Sequence, residues 1–242
     1  MNYTRKKILI IIPAYQEEAS IARVVNKIRT TLPFVDIVVI NDGSTDRTSA
    51  NAKATGVAVV DLPFNLGIGG AMQTGYRYAE RNGYEIAVQI DADGQHNPGD
   101  LTKLLAVMEQ EDMDMVIGSR FVESSGYRPS LSRAAGITLL SWLVSMVTGK
   151  TITDTTSGYR AVNRKVIKLF ARDYPTDYPE VEVLILLHKH RLRVKEVPVI
   201  MNYRETGASS ITPLKSIYYM IKVILSVLIM VTRTRSQVAS DG

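Results

Sequence analysis

The sequence predicts an α/β protein with a mostly parallel central sheet flanked by helices. Short β-branched runs recur at Ile8–Ile12, Ile37–Ile40, Val57–Val60, Ile86–Ile90 and Met115–Ile117. They are apolar throughout rather than alternating, the pattern of strands covered on both faces. Stretches of helical spacing separate them, at 17–31, 46–55, 69–81 and 98–110. Strands and helices in alternation pair as parallel strands through right-handed crossovers.

The elements follow in order from local chemistry. Thr45-Asp46 and Asn97-Pro98 read as helix starts, with Pro98 near the first helical position. The helix at 69–81 opens on the glycine-rich Asn65-Leu66-Gly67-Ile68-Gly69-Gly70. Residues 131–148 read as an amphipathic helix. Thr138, Ser141, Ser145 and Thr148 share one face, and Leu139, Leu140, Leu143, Val144, Met146 and Val147 cover the rest. Helices are expected at 163–171 and 179–190, and a strand at 194–203. Ile217–Val231 is apolar almost all round, with Lys222 its one charge. It is shorter than the ~20 residues of a membrane-spanning helix, which points to interfacial or oligomer contact. The tail from Thr232 to Gly242 is polar and is expected to be disordered.

Composition narrows the chemistry. At 242 residues, 45% hydrophobic and 22% charged, the chain fits one large α/β domain with a C-terminal appendage. It has no cysteine, so disulfides, a thiol nucleophile and a cysteine-held zinc are excluded. Only His96, His188 and His190 could give nitrogen ligands, so a metal held by oxygen, Mg²⁺ or Mn²⁺, is favoured. The net charge of +5, with no basic run interleaved with aromatics, argues against nucleic acid. It suits phosphates or an anionic membrane surface. The apolar run Ile8–Ile12 is too short for a signal-peptide core, which predicts a cytoplasmic location.

Ligands of such sheets sit beyond the carboxyl ends of the strands. Three polar clusters fall there. In Gln89-Ile-Asp91-Ala-Asp93-Gly-Gln95-His96, two carboxylates stand two residues apart at a strand end. A divalent ion shared with a diphosphate relieves their repulsion, and Gln95 or His96 could add a ligand. Ile12-Pro13-Ala14-Tyr15-Gln16-Glu17-Glu18 offers a rigid turn, an aromatic face and a carboxylate, although Glu18 fits a helix N-terminus better. Asn41-Asp42-Gly43-Ser44-Thr45-Asp46 places Asp42 to accept hydrogen bonds from a base or ribose, or to make an ordinary Asp-Gly turn. The glycine-rich run is not a dinucleotide fingerprint, since it follows the third strand and carries Met72 at the last position. Gly149-Lys150-Thr151 is not a P-loop, because position 144 is Val.

Together these pieces resemble the family 2 glycosyltransferases of the nucleotide-sugar-binding GT-A fold. The matching segments are IIPAYQEE (11–18), VVINDGSTDRT (38–48), NLGIGGAMQTGYRYA (65–79), QIDADGQH (89–96), IGSRF (117–121), DTTSGYRAVNR (154–164) and NYRETGASSI (202–211). The nearest groups are the dolichol-phosphate mannose synthase-like and bacterial polyprenyl-phosphate glycosyltransferases. The resemblance spans about residues 8–211 and implies a GT-A domain over 1–211; the apolar and polar stretches that follow add a C-terminal helix at 212–231 and a tail at 232–242. It implies a nucleotide pocket lined by Pro13, Ala14, Tyr15, Glu17 and Asp42, with Gly69 packed beside it. Asp91, Asp93 and Gln95 would hold the metal and diphosphate, and Arg120, Ser132, Arg133, Arg160 and Arg204 would approach donor or acceptor phosphates. The bland alternative for each arginine is a surface salt bridge; the motif context favours function for Arg120 and Arg204, which with the metal would stabilise the leaving diphosphate, and leaves both readings open for Arg133 and Arg160.

The expected activity is metal-dependent, inverting transfer of a hexose from a nucleoside diphosphate sugar (UDP- or GDP-hexose) to a membrane-bound polyprenyl phosphate. Such an enzyme would sit peripherally on the cytoplasmic face of the membrane, with a homo-oligomer as the other use of 217–231. A phosphate acceptor is already anionic and needs no base. A sugar hydroxyl of a lipid-linked saccharide does, and Glu180, then Asp177, is the candidate for it, with an acidic helix N-terminus as the equal alternative. A nicotinamide oxidoreductase is disfavoured by the missing fingerprint after strand one. A non-catalytic sugar-nucleotide-binding subunit is disfavoured by Asp91, Asp93 and Arg204.

Overall fold

A computed structural model describes residues 6–122, 131–176 and 179–201, together with Lys222 and Leu225. Of residues 131–133 and 135 it describes the backbone alone. The chain runs β1 (Ile8–Ala14), α1 (Ile21–Thr31), β2 (Asp36–Asn41), α2 (Thr48–Ala54), β3 (Ala58–Asp61), α3 (Gly67–Arg81) and β4 (Ile86–Gln89). A 3-10 turn at Pro98–Asp100 leads into α4 (Leu101–Gln110), then β5 (Met115–Ser119) and α5 (Leu131–Thr148). The order closes with β6 (Arg160–Asn163), α6 (Arg164–Arg172), α7 (Pro179–Lys189) and β7 (Val194–Pro198).

The seven strands lie in the order β3-β2-β1-β4-β6-β5-β7. All neighbours are parallel except around β6, which runs antiparallel to both β4 and β5. The expected mostly parallel, helix-flanked sheet is what forms. β1 shows why its run is continuously apolar: Leu9 and Ile11 enter the core under α3, α6 and α7, while Ile8, Ile10 and Ile12 enter the one under α1 and α4. Both faces are dry, so alternation would leave a polar side chain buried without a partner.

Three differences from expectation have local causes. β6 was not anticipated; it is four residues long, and Arg and Asn flank only Ala161 and Val162. The first helix starts at Ile21 rather than 17, because Gln16 takes a left-handed backbone (φ 58°) and Glu17–Ser20 form a turn. The last strand stops at Pro198, and Met201 makes a separate bridge to His96.

The 131–148 helix forms over the expected bounds. Of its hydroxyl stripe, Thr138 is exposed while the rest faces protein: Ser141 Oγ donates to the Thr153 carbonyl (2.9 Å), and Ser145 Oγ accepts from the Ile152 N–H (3.0 Å). Leu139, Trp142 and Met146 are exposed on it, at i, i+3 and i+7. The segments 217–231, apart from Lys222 and Leu225, and 232–242 lie outside the described residues. Among the described residues no helix is long and apolar enough to cross a membrane.

Candidate active site

The carboxyl ends of β1, β2 and β4 converge on one side of the sheet. Because β6 is reversed, its amino end meets them there, with Arg160 in register between Gln89 and Ile117. The site is therefore assembled from three strand ends and one strand start.

Pro13 and Ala14 close β1, and Tyr15, half exposed, projects beyond it. The following loop is stitched to the loop after β2. Gln16 N–H donates to Ser44 Oγ (3.1 Å), Glu17 N–H to Thr48 Oγ1 (2.8 Å) and Glu18 N–H to Asp46 Oδ2 (3.1 Å). Ser20 Oγ donates to the Glu17 carboxylate at the entry of α1. Glu18, expected at the N-terminus of the first helix, lies ahead of α1, and its carboxylate instead accepts the Arg47 N–H at the entry of α2 (2.9 Å). Asp42 is buried, and its Oδ1 accepts the Leu66 N–H at 2.7 Å, which ties the β2 loop to the start of α3. Gly69 packs on another segment: a Cβ there would stand 2.5 Å from the Thr176 backbone. Its described contact is thus with the chain leading toward α7, and this close packing accounts for the glycine.

The acidic turn alternates outward and inward. Asp91, Asp93 and Gln95 are partly exposed, while Ala92 and His96 are buried. Asp91 N–H donates to His96 Nδ1 (3.1 Å), and the imidazole stacks on Tyr159 at 4.9 Å. His96, weighed above as a metal ligand, instead braces the turn from inside. Gln89 Nε2 donates to Asp91 Oδ1 (3.1 Å), and Asp93 Oδ1 accepts the Gln95 N–H (3.0 Å). Two carboxylates and an amide, all oxygen donors and all reachable by solvent, suit Mg²⁺ or Mn²⁺. Such ions take one or two carboxylates and complete their shell with water and substrate phosphate. Among the described residues no cluster of three His, Cys, Asp or Glu could enclose an ion without such help.

The arginines are arranged differently from expectation. Arg120 is buried, and its fork meets the fully buried Asp154 through Nε (2.7 Å) and Nη2 (2.6 Å). The Arg120 N–H adds a third bond to the same carboxylate (3.1 Å), and Nη2 also reaches Thr156 Oγ1 (2.6 Å). Glu196 on β7 holds Asp154 from behind, accepting its N–H (2.7 Å) and that of Thr153 (2.8 Å). Burial pushes the Asp154 carboxyl up, but the Arg120 bonds outweigh it and leave the group below its usual range. The bidentate face that would grip a phosphate thus already serves a carboxylate. Arg160 is likewise buried and gives its N–H groups to the carbonyls of Ser157 (2.8 Å), Thr155 (3.2 Å) and Glu180 (2.7 Å). Both arginines are thus engaged within the protein in this structure: Arg120, expected to meet a phosphate, is held instead in an ion pair with Asp154 that is buried rather than on the surface.

Glu180 is half-buried in the first turn of α7. Burial pushes its carboxyl above the usual value; Arg160 opposes this, and Asp91 and Glu182 add to it. Its charge therefore feels the acidic turn. Arg204 and Asp177 lie outside the described residues, as do the side chains of Ser132 and Arg133. Sequence reasoning assigned no role to Asp154, Glu196, Gln89 or Gly158. Gln89, Asp154 and Gly158 stand inside quoted motifs, but nothing in the spacing marks which residues of these motifs face the site.

The family model for glycosyl transferase family 2 matches residues 9–170. The chain is 31% identical to the UDP-N-acetylglucosamine–dolichyl-phosphate N-acetylglucosaminyltransferase of Methanococcus voltae, over 83% of this chain and 87% of that one. It is 31% identical to the polyprenol monophosphomannose synthase of Mycolicibacterium smegmatis, over 86% and 82%. In fold it is similar to glucosyl-3-phosphoglycerate synthase from Mycobacterium tuberculosis, solved in complex with Mn²⁺, uridine diphosphate and phosphoglyceric acid. That match has a TM-score of 0.67 at 22% identity and covers 93% of this chain and 78% of the other. The sheet order, the acidic turn after β4, the matched family model and the relatives agree: the chain belongs to glycosyl transferase family 2, among the polyprenyl-phosphate glycosyltransferases, and is a glycosyltransferase.

Proposed function

We propose that the protein transfers a hexose from a nucleoside diphosphate sugar to a polyprenyl phosphate, with inversion at the anomeric carbon and dependence on Mg²⁺ or Mn²⁺. The observation that carries this reading is the pair Asp91 and Asp93, two residues apart and both solvent-reachable just beyond the carboxyl end of β4. Asp91, Asp93 and Gln95 would hold the ion. When bound, it supplies positive charge for the departing diphosphate. Tyr15 offers a face for the base, and Asp42 an acceptor oxygen beside it. Arg204, Ser132 and Arg133 remain the groups proposed to meet phosphates, since Arg120 and Arg160 are occupied within the protein.

In the step itself an acceptor phosphate oxygen attacks C1 as the bond from C1 to the diphosphate oxygen breaks. The nucleoside diphosphate leaves, and no proton need be removed from the acceptor. The relatives named for dolichyl and polyprenol phosphates support this acceptor. The exposed Leu139, Trp142 and Met146 of α5 support peripheral contact with the membrane that carries it. A sugar-hydroxyl acceptor is the second reading. It is favoured by Glu180, whose raised carboxyl lies within electrostatic reach of Asp91 and could take the hydroxyl proton.

The test is turnover of UDP- and GDP-hexoses with Mg²⁺ or Mn²⁺, with and without polyprenyl phosphate. Lipid-linked hexose should form only with metal and polyprenyl phosphate together. Undiminished transfer in EDTA refutes the metal. A strict need for a saccharide hydroxyl moves the assignment to the second reading.

A further inference from the structure

Asp91 is boxed on three sides, and each wall comes from a different part of the chain. Gln89 donates to its Oδ1 from the preceding strand. His96 accepts its N–H from within the turn, with Nε2 standing 3.7 Å from Oδ2. The third wall is Gly158, in the loop that enters β6. A Cβ on Gly158 would stand 2.9 Å from Asp91 Oδ2, 3.1 Å from Oδ1 and 2.9 Å from Gln89 Nε2. Its place is fixed from both sides. Ser157 Oγ bonds the Gly118 carbonyl (2.6 Å), and the Tyr159 hydroxyl bonds the Asn97 carbonyl (3.1 Å).

We propose that Gly158 is a positioning residue for the metal-side carboxylate: its bare Cα leaves the room in which Asp91 keeps its present rotamer. The inference rests on the metal reading given above. The atoms that an added methyl group would strike are side-chain ends, not backbone. They can swing aside at little cost to folding, but the swing moves the ligand oxygens of Asp91 from the place they now hold. A substitution here should therefore leave the fold and spoil the ion site. Groups that orient a metal ligand without touching the metal typically govern ~10–100-fold in affinity.

The experiment is a Mn²⁺ titration of the full chain followed by electron paramagnetic resonance, with UDP or GDP present, alongside thermal melts. Gly158→Ala should bind Mn²⁺ about 10–100-fold more weakly with a melting temperature within about 4 °C of wild type. Gln89→Met, which removes the N–H donor to Oδ1, should shift affinity in the same direction by less. Gly99→Ala is the control, since a Cβ there meets only the Asn97 side chain, at 3.5 Å; its binding should be unchanged. A folded Gly158→Ala protein that binds Mn²⁺ like wild type overturns the inference. So does an unfolded Gly158→Ala protein together with an unchanged Gln89→Met. If wild type itself binds no Mn²⁺ with either nucleotide, the metal reading fails, and the role of Gly158 with it.

Discussion

The acidic turn after β4 and the arginine box after β5 use the same kinds of group to opposite ends. In the turn, Asp91 and Asp93 are two residues apart and both partly open to water. In the box, Asp154 is fully buried, takes three N–H bonds from Arg120 and is backed by Glu196. Charge left open to solvent at a strand end is available to a ligand. Charge saturated inside the protein holds the frame in which the ligand is met. The motif context alone gives both the same functional look, and only the pairing separates them.

The largest effect expected from this contrast is on the box. Asp154→Ala leaves Arg120 buried without its partner, a change that typically costs 3–5 kcal/mol. Urea denaturation should show a loss on that scale, and a change under about 1 kcal/mol would mean that Arg120 escapes to solvent and is available to phosphate after all. The pH dependence sharpens the same point. Bonding to Arg120 holds Asp154 below its usual 3.8, so it adds stability above that pH and loses it as pH falls through the lower folded value. In Arg120→Met, burial without a cation pushes the carboxyl above 3.8, so its contribution turns unfavourable near neutrality and is relieved by acid. The stability gap between wild type and variant should be widest near pH ~7 and narrow below pH ~4. A gap independent of pH would break the account.

The turn should answer in the other currency. Asp93→Ala should keep the melting temperature of wild type and lower transfer by ~10²–10³-fold, the usual worth of one electrostatic group. A large loss of stability with modest loss of turnover would make the turn scaffold rather than site. The smallest change is expected for Glu180→Gln. With polyprenyl phosphate as acceptor turnover should hardly move, whereas a hydroxyl acceptor would lose ~10²-fold or more. A steep loss with the phosphate acceptor would place Glu180 in the site whatever the acceptor.

How much of this the sequence carried depends on how local each feature is. Five strands and the helices between them were legible because two dry faces force unbroken apolar runs. The acidic turn was legible because Asp91 and Asp93 are two residues apart at the end of such a run. β6 was not, since Ala161-Val162 is too short to stand out and its neighbours are sequence-distant strands on both sides. The fate of Arg120 was hidden for a related reason. Its partner lies 34 residues away, and no pattern in the chain states which donors have been consumed. Gly158 was quoted as part of a motif, yet its effect on Asp91 follows only from two loops meeting 67 residues apart in sequence.

The reversed strand has a consequence for the order in which the molecule can be built. β1 to β4 pair among themselves as β3-β2-β1-β4, so the amino-terminal 89 residues supply a contiguous half-sheet. β5 has no partner in that half; both of its neighbours, β6 and β7, come later in the chain. During synthesis β4 and β5 each present an open edge until Arg160–Asn163 emerges to fill the gap between them. These are pairings of long sequence separation, the kind that forms slowly. Gly158 arrives with that same strand. The side of the cleft proposed for the nucleotide is thus drawn from the early half, whereas the carboxylate proposed to hold the metal is set in place only when β6 fills the gap between β4 and β5.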